Sequence, residues 1–276
     1  MKKKLLALTL IAALGISLVG CSSNSKTAQS SSKEVKTVEI ALVAENAPYT
    51  YEDKAGNPAG YDYEVLKKID AALPGYQFNY KVIDYETGLI GTKEGKYDIN
   101  AGCYFRTDVR EKTYLVSSPY NYYFLNLIVN PDSKIETLND LNGKSLVPID
   151  ATDGRYAAFK DWLKAHPDVK INMTPSSSQA TYVDMCDSVH NGTYDAVYLS
   201  KSQFEGVADK LKYKMKVTGN VDGRDTVFLI NKDKNELQTA INSEITKLKD
   251  DGTLTKLSGK FFKQDNFAIA KDLGLK

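Results

Sequence analysis

An α/β fold in two lobes is what this sequence predicts, and three features carry the prediction. From Thr37 onward short apolar runs alternate with segments of helical periodicity, the pattern of strands separated by helices. The alternation restarts near Ser145. A late amphipathic segment follows the second unit, so the chain crosses between two α/β units twice and returns.

In the first unit, residues 37–43 form a strand candidate. Residues 62–73 carry Val65, Leu66, Ile69 and Leu73 on one helical face. A strand over 78–83, a helix over 85–94 and a strand over 99–101 follow. The second unit has a strand over 145–149, a helix over 155–166, a strand over 170–173, a helix over 179–191 and an apolar strand over 196–199. Leu237, Ala240, Ile241, Ile245 and Leu248 mark the late helix, which Asp250-Asp251-Gly252 stops. The crossings fall near 127–132 and 217–222. The predicted organisation is a first lobe over 37–129, a second lobe over 130–221, and a return to the first lobe over 222–276. Two strands form the hinge, and the ligand cleft lies between the lobes, where sites form preferentially.

Ahead of this region, Lys2, Lys3 and Lys4 precede an apolar run that ends at Gly20-Cys21, the layout of a secretory signal over 1–20. The run is too short for a spanning helix. Leu18-Val19-Gly20-Cys21 resembles a bacterial lipobox, which implies a lipid thioether on Cys21, palmitate as a second acyl chain, and cleavage before Cys21. Residues 21–36 then read as the lipidated Cys and a Ser/Lys-rich flexible tether. Loss of 1–20 removes three lysines, taking the formal net charge from +1 to −2. No basic field of nucleic-acid size remains. Cys103 and Cys186 have no staple-like spacing and read as buried free thiols.

The motifs resemble the polar-amino-acid class of ABC-transporter substrate-binding proteins, which have a two-lobed periplasmic-binding-protein-like fold. Ala47-Pro48-Tyr49-Thr50-Tyr51, Gly56 and Gly60-Tyr61-Asp62-Tyr63-Glu64-Val65 are similar to the family's opening. Gly95-Lys96-Tyr97-Asp98-Ile99, Thr107-Asp108-Val109-Arg110 and Ser117-Ser118-Pro119-Tyr120 follow in family order. Gly192-Thr193-Tyr194-Asp195-Ala196-Val197 matches the second-lobe motif.

The resemblance implies that Arg110 clamps a ligand carboxylate, a role that suits a planar guanidinium fork. Arg106, Arg110, Arg155 and Arg224 are the only arginines in a lysine-rich chain. By the same likeness Phe105 offers its backbone amide to the carboxylate, and Gly102 and Cys103 replace serines. Thr152 is a backbone and hydroxyl contact at a helix start spanning 151–154, and Asp153 lies beside it. Tyr85 is an aromatic platform. Tyr49 with Tyr51 forms the opposite wall, and Glu45 or Asn46 marks the cleft edge. Amino-acid binders place an Asp five residues after the motif acid, whereas Asp195 is followed at that distance by Ser200. A hydroxyl cannot neutralise a buried ammonium. Either Asp150 or Asp153 supplies that charge, or the ligand is not a plain α-amino acid. The run from Arg110 to Tyr120 is most similar to members handling cystine or other sulfur-containing amino acids.

The implied function is an extracytoplasmic, membrane-anchored monomer that delivers an amino-acid-like ligand to the permease and ATPase subunits of an importer, without a cofactor, metal or nucleic acid. A non-transport sensor or adhesin lipoprotein on the same fold is the alternative, and a cyclohexadienyl-dehydratase-like enzyme a more distant one. His166 and His190 lack paired metal-ligand spacing, and no nucleophile elbow or phosphate loop occurs. The lipid anchor and high lysine content point to the outer face of a Gram-positive cell membrane.

Overall fold

A computed structural model describes residues 35–177 and 180–275. The export signal over 1–20, the lipidation at Cys21 and nearly all of the tether lie outside the described residues. The first half holds β1 (Lys36–Val43), β2 (Tyr51–Glu52), β3 (Pro58–Ala59), α1 (Tyr61–Ala72), β4 (Tyr76–Ile83), α2 (Tyr85–Lys93), β5 (Ile99–Phe105), α3 (Asp108–Thr113) and β6 (Leu115–Val116). The long strand β7 (Asn121–Val129) follows, then α4 (Gly154–Ala165), α5 (Tyr182–His190), β8 (Val197–Leu199), α6 (Lys201–Ala208) and β9 (Lys216–Val217). The chain ends with β10 (Asp222–Ile230), α7 (Asn235–Asp250), α8 (Thr253–Phe262) and α9 (Asn266–Asp272).

The main sheet runs β4-β1-β5-β10-β7-β8. β1 pairs parallel with β4 and β5, whereas β10 and β7 pair antiparallel with their neighbours. Strands alternating with helices favour a parallel sheet; this one is mixed because β7 and β10 carry the chain in opposite directions. Asn121 to Leu125 of β7 pairs with Asp222 to Thr226 of β10, and beyond that stretch the two strands part. β10 continues against β5 and β6, and β7 against β8 and β9. Two α/β groups therefore share one antiparallel ribbon, the two-lobed arrangement expected from the alternation.

The elements of the first unit fall where the periodicity puts them, with β5 running four residues longer than expected. In the second unit the expected strands over 145–149 and 170–173 are only isolated bridges, Ser145 to Asn172, Leu146 to Ala196 and Asp150 to Ser176. Pro148 and Pro175 lack the N–H that a ladder needs. The helix expected over 179–191 begins at Tyr182, because the Thr181 side chain accepts the Asp184 N–H and caps it there. Cys103 and Cys186 are buried free thiols.

Tyrosine supplies much of the core: Tyr49, Tyr61, Tyr104, Tyr120, Tyr123 and Tyr198 are fully buried. The entry to α1 is tightly built. Gly60 has φ 118°, and a Cβ there would lie 2.1 Å from the Tyr49 carbonyl oxygen. The clash is with backbone and has no cheap relief, so Gly60→Ala is expected to cost about 3 kcal/mol or more and lower Tm by roughly 10 °C in thermal unfolding.

Candidate functional site

A cavity of about 1080 Å³ lies between residues of the two groups. One wall is the carboxyl end of β5. Asn100 pairs with Leu229 and Tyr104 with Val227, so three residues of β5 oppose only Phe228. The result is a bulge, with Cys103 in the left-handed region at φ 59°. Bulges re-aim side chains beside sites, and here Gly102, Cys103, Tyr104 and Phe105 all line the cavity.

Arg110 projects into this cavity from α3. Thr107 caps that helix, accepting the Arg110 N–H at 3.3 Å, so the T-x-x-R spacing places the guanidinium one turn inside the helix start. Arg110 is only 7% exposed. Its Nη1 donates to the Phe105 carbonyl at 2.8 Å, and its Nη2 donates to Tyr85 Oη at 3.0 Å and to the Thr152 carbonyl at 3.1 Å. The Tyr104 ring lies 4.9 Å beneath it. These bonds leave Nε–H and the second Nη1 proton for a further acceptor. Burial raises the Tyr85 hydroxyl above its ordinary range while the Arg110 charge opposes that shift. Tyr85 therefore keeps its proton and donates it to the Thr152 carbonyl at 3.0 Å.

The start of α4 faces Arg110. Asp153 caps α4, accepting the Arg155 N–H, and its other oxygen takes Arg155 Nε at 3.0 Å and Nη2 at 2.6 Å. Burial works to raise the Asp153 pKa, but the charge and hydrogen bonds of Arg155, with Arg110 adding, hold it below the usual carboxylate value. Asp153 is thus an ionised group on the cavity wall. Arg155 is itself buried, with its guanidinium 5.8 Å from the Tyr182 ring. Thr152 does not line the cavity. Its N–H and hydroxyl both donate to Asp150, at 2.7 and 2.6 Å, and only its carbonyl turns to Arg110. Gly154 touches Phe105 so closely that a Cβ would lie 2.7 Å from the ring.

A second link crosses the cavity. Gln203 Nε2 donates to Asn46 Oδ1 and to Tyr182 Oη, each at 2.6 Å, and Asn46 Nδ2 donates to the Gly102 carbonyl at 3.0 Å. Tyr123 donates its hydroxyl proton to Gln203 Oε1. Ser200 stands behind this network: it is the N-cap of α6, accepts the Gln203 N–H at 3.2 Å and donates its own N–H to Tyr123 Oη at 3.0 Å.

Of the residues singled out from sequence, Arg110, Phe105, Tyr85, Asp153 and Glu45 line one cavity, Glu45 with φ 54°. Tyr49 does not; it packs in the core against Tyr123 and Phe262, with ring centroids 5.9 and 5.0 Å away, while Tyr51 reaches the wall. Ser200 is likewise absent from the lining, because the cap of α6 holds its hydroxyl. Sequence reasoning missed Gln203 and Tyr182 and gave Arg155 no role. Arginine scarcity was a signal for Arg155. The Ser-x-x-Gln spacing announced only a helix start.

The chain is 29% identical over 269 residues to the L-cystine-binding protein TcyJ of Bacillus subtilis, covering 96% of both chains. A putative L-cystine ABC transporter structure from Listeria monocytogenes superposes with a TM-score of 0.66 at 28% identity, covering 82% of this chain and 96% of that one. A structure from work on glutathione import through GshT and the cystine ABC importer TcyBC of Streptococcus mutans gives a TM-score of 0.71 at 27% identity, over 84% and 96% of the two chains. The two-lobed fold, the order of the motifs and the cavity that joins them agree with the family model that matches residues 38–264, and this chain belongs to the bacterial extracellular solute-binding proteins, family 3.

Proposed function

We propose that this protein captures an amino-acid-like solute outside the cytoplasm and presents it to the permease and ATPase subunits of an ABC importer. One observation carries the reading: Arg110 from the first half and ionised Asp153 from the second face the same cavity. A zwitterion has one acceptor and one donor group for these poles. Arg110 would hold the carboxylate through its remaining N–H donors, and Asp153, steadied by Arg155, would take the ammonium in place of the acid absent at Ser200. Burial of either charge alone is costly, so both must be met together.

Relatives named for L-cystine support a sulfur-containing ligand for this chain. The cavity, just above the roughly 300–1,000 Å³ usual for small-molecule sites, accommodates a solute larger than one small amino acid. The lobes divide at the shared ribbon into 37–129 with 222–276 and 130–221. The protein acts as a monomer tethered through lipidated Cys21 to the outer face of the membrane. Capture needs no chemistry; closure proceeds only as far as the ligand prefers the closed form.

The test is calorimetry with L-cystine, single amino acids, thioethers, glutathione and amino-free acids. Saturable binding of an α-amino-acid ligand supports the reading, and a heat only from amino-free acids would remove Asp153 from it. Gly154→Ala is a sharper probe of closure. A new methyl meets Phe105 across the cleft, so affinity is expected to fall about 10- to 100-fold, the equivalent of 1–3 kcal/mol of overpacking. Tm without ligand should shift little, since the clash lies between lobes. Unchanged affinity would mean that the two walls do not meet in the bound state.

A further inference from the structure

Asp62 is fully buried outside the cavity and, among the described residues, has no ion-pair partner. Its Oδ2 accepts the Cys103 N–H at 2.9 Å, and that amide belongs to the bulge of β5, where ladder pairing with β1 has ended at Ala101. The neighbouring Gly102 carbonyl accepts from Asn46 Nδ2. Two side chains therefore take the backbone groups that the bulge frees, and a buried backbone group left without a partner is costly. Asp62 also stands in the first turn of α1, where the N-terminal dipole favours an anion.

Among the described residues, the titratable groups that act on Asp62 are neutral ones. Tyr61 comes from α1, Tyr49 from the segment before it, Cys103 from β5 and Tyr120 from the segment before β7. The Tyr120 hydroxyl, directed at the carboxylate, favours the ionised form together with the Cys103 and Gly102 amides, although Tyr120 Oη and Asp62 Oδ1 meet outside normal hydrogen-bond geometry. Arg110 and Asp153 act on Cys103 from its cavity side. Burial dominates and pushes the Asp62 carboxyl up to about 7, so it changes charge near neutrality.

We propose that Asp62 is a positioning residue for the ligand cavity: its ionised carboxylate holds the bulged Gly102 and Cys103 in the left-handed turn that shapes the wall beside Arg110, and protonation loosens that wall and weakens binding. The inference rests on the solute-binding reading above. A charge-assisted acceptor is about twice as strong as a neutral one, and the Cys103 N–H has no alternative partner in the sheet.

The experiment measures L-cystine affinity of the full chain, purified in mild detergent, at pH 5.5 and 8.0, for the wild type, Asp62→Asn and Asp62→Ala. The wild type should bind about tenfold more tightly at pH 8.0. Asp62→Asn keeps an acceptor for Cys103 without a titrating charge, so its affinity should be level between the two pH values. Asp62→Ala should be weak at both. A pH response that survives in Asp62→Asn, or a wild type with none, overturns the proposal. If L-cystine does not bind the wild type at all, the ligand reading fails separately. The Cys103 amide proton shift then decides: it must titrate near neutrality in the wild type and stay still in Asp62→Asn, and any other pattern overturns the role of Asp62.

Discussion

Arg110→Ala should lose ligand affinity by about a thousandfold, or about 4 kcal/mol, in calorimetry of wild type against variant. The estimate follows from removing one partner of a buried, charge-assisted contact, which costs about 2–5 kcal/mol. The same substitution strips the guanidinium donor from the Phe105 carbonyl and one of two donors from the Thr152 carbonyl, which keeps Tyr85 Oη; a buried carbonyl left with no donor costs about 1–3 kcal/mol. A modest drop in Tm is therefore expected alongside the loss of binding, with the fold retained. Arg110→Lys keeps the charge but not the planar fork, so it should recover only part of the affinity. Binding within threefold of wild type in the alanine variant would show that the carboxylate is held elsewhere in the cavity.

Stability should fall as pH rises from about 4 to about 7, because of Asp62. Its folded pKa of about 7 lies above the ordinary 3.8, so between those values the folded protein keeps a proton that the unfolded chain releases. Unfolding free energy then decreases with pH across that window and is level above it. At about 1.4 kcal/mol per unit the fall is about 4 kcal/mol. Asp153 and Asp195 work the other way, since their folded pKa values are lowered and their contribution is lost as pH drops below the usual carboxylate value. Maximum stability should therefore lie near pH 4 to 5. Chemical denaturation from pH 4 to 8 checks this, and Asp62→Asn should remove most of the decline. A decline that persists in Asp62→Asn would assign it to another group.

Long, strongly patterned elements are legible in the sequence. Val65, Leu66 and Ile69 predicted α1, and Leu237, Ile241 and Ile245 predicted α7, because one buried face imposes the helical period. The two crossings expected near 127–132 and 217–222 fall beside the observed ribbon of 121–125 with 222–226, but the extent and register of β7 were not legible: it is buried at every position, so it shows no alternation, and its partner lies about a hundred residues away.

Residue types and spacings determined much of the site's first wall. Thr107 three positions before Arg110 places a buried guanidinium by helix capping, a local effect that sequence carries in full. Asp153 ahead of Gly154 and Arg155 likewise sets a helix start. Tertiary structure alone decided that Tyr49 turns to the core and Tyr51 to the cavity, that Ser200 is occupied as a cap, and that Gln203, Tyr182 and Asn46 meet. It also decided why the Gly60-Tyr61-Asp62 motif has its form: Gly60 admits the Tyr49 carbonyl, Tyr61 donates its hydroxyl proton to the Tyr120 carbonyl, and Asp62 takes the amide freed by a bulge forty-one residues on. Capping and amphipathic period are set by neighbours in the chain, whereas burial of a charge and satisfaction of a freed amide depend on which distant segments pack together.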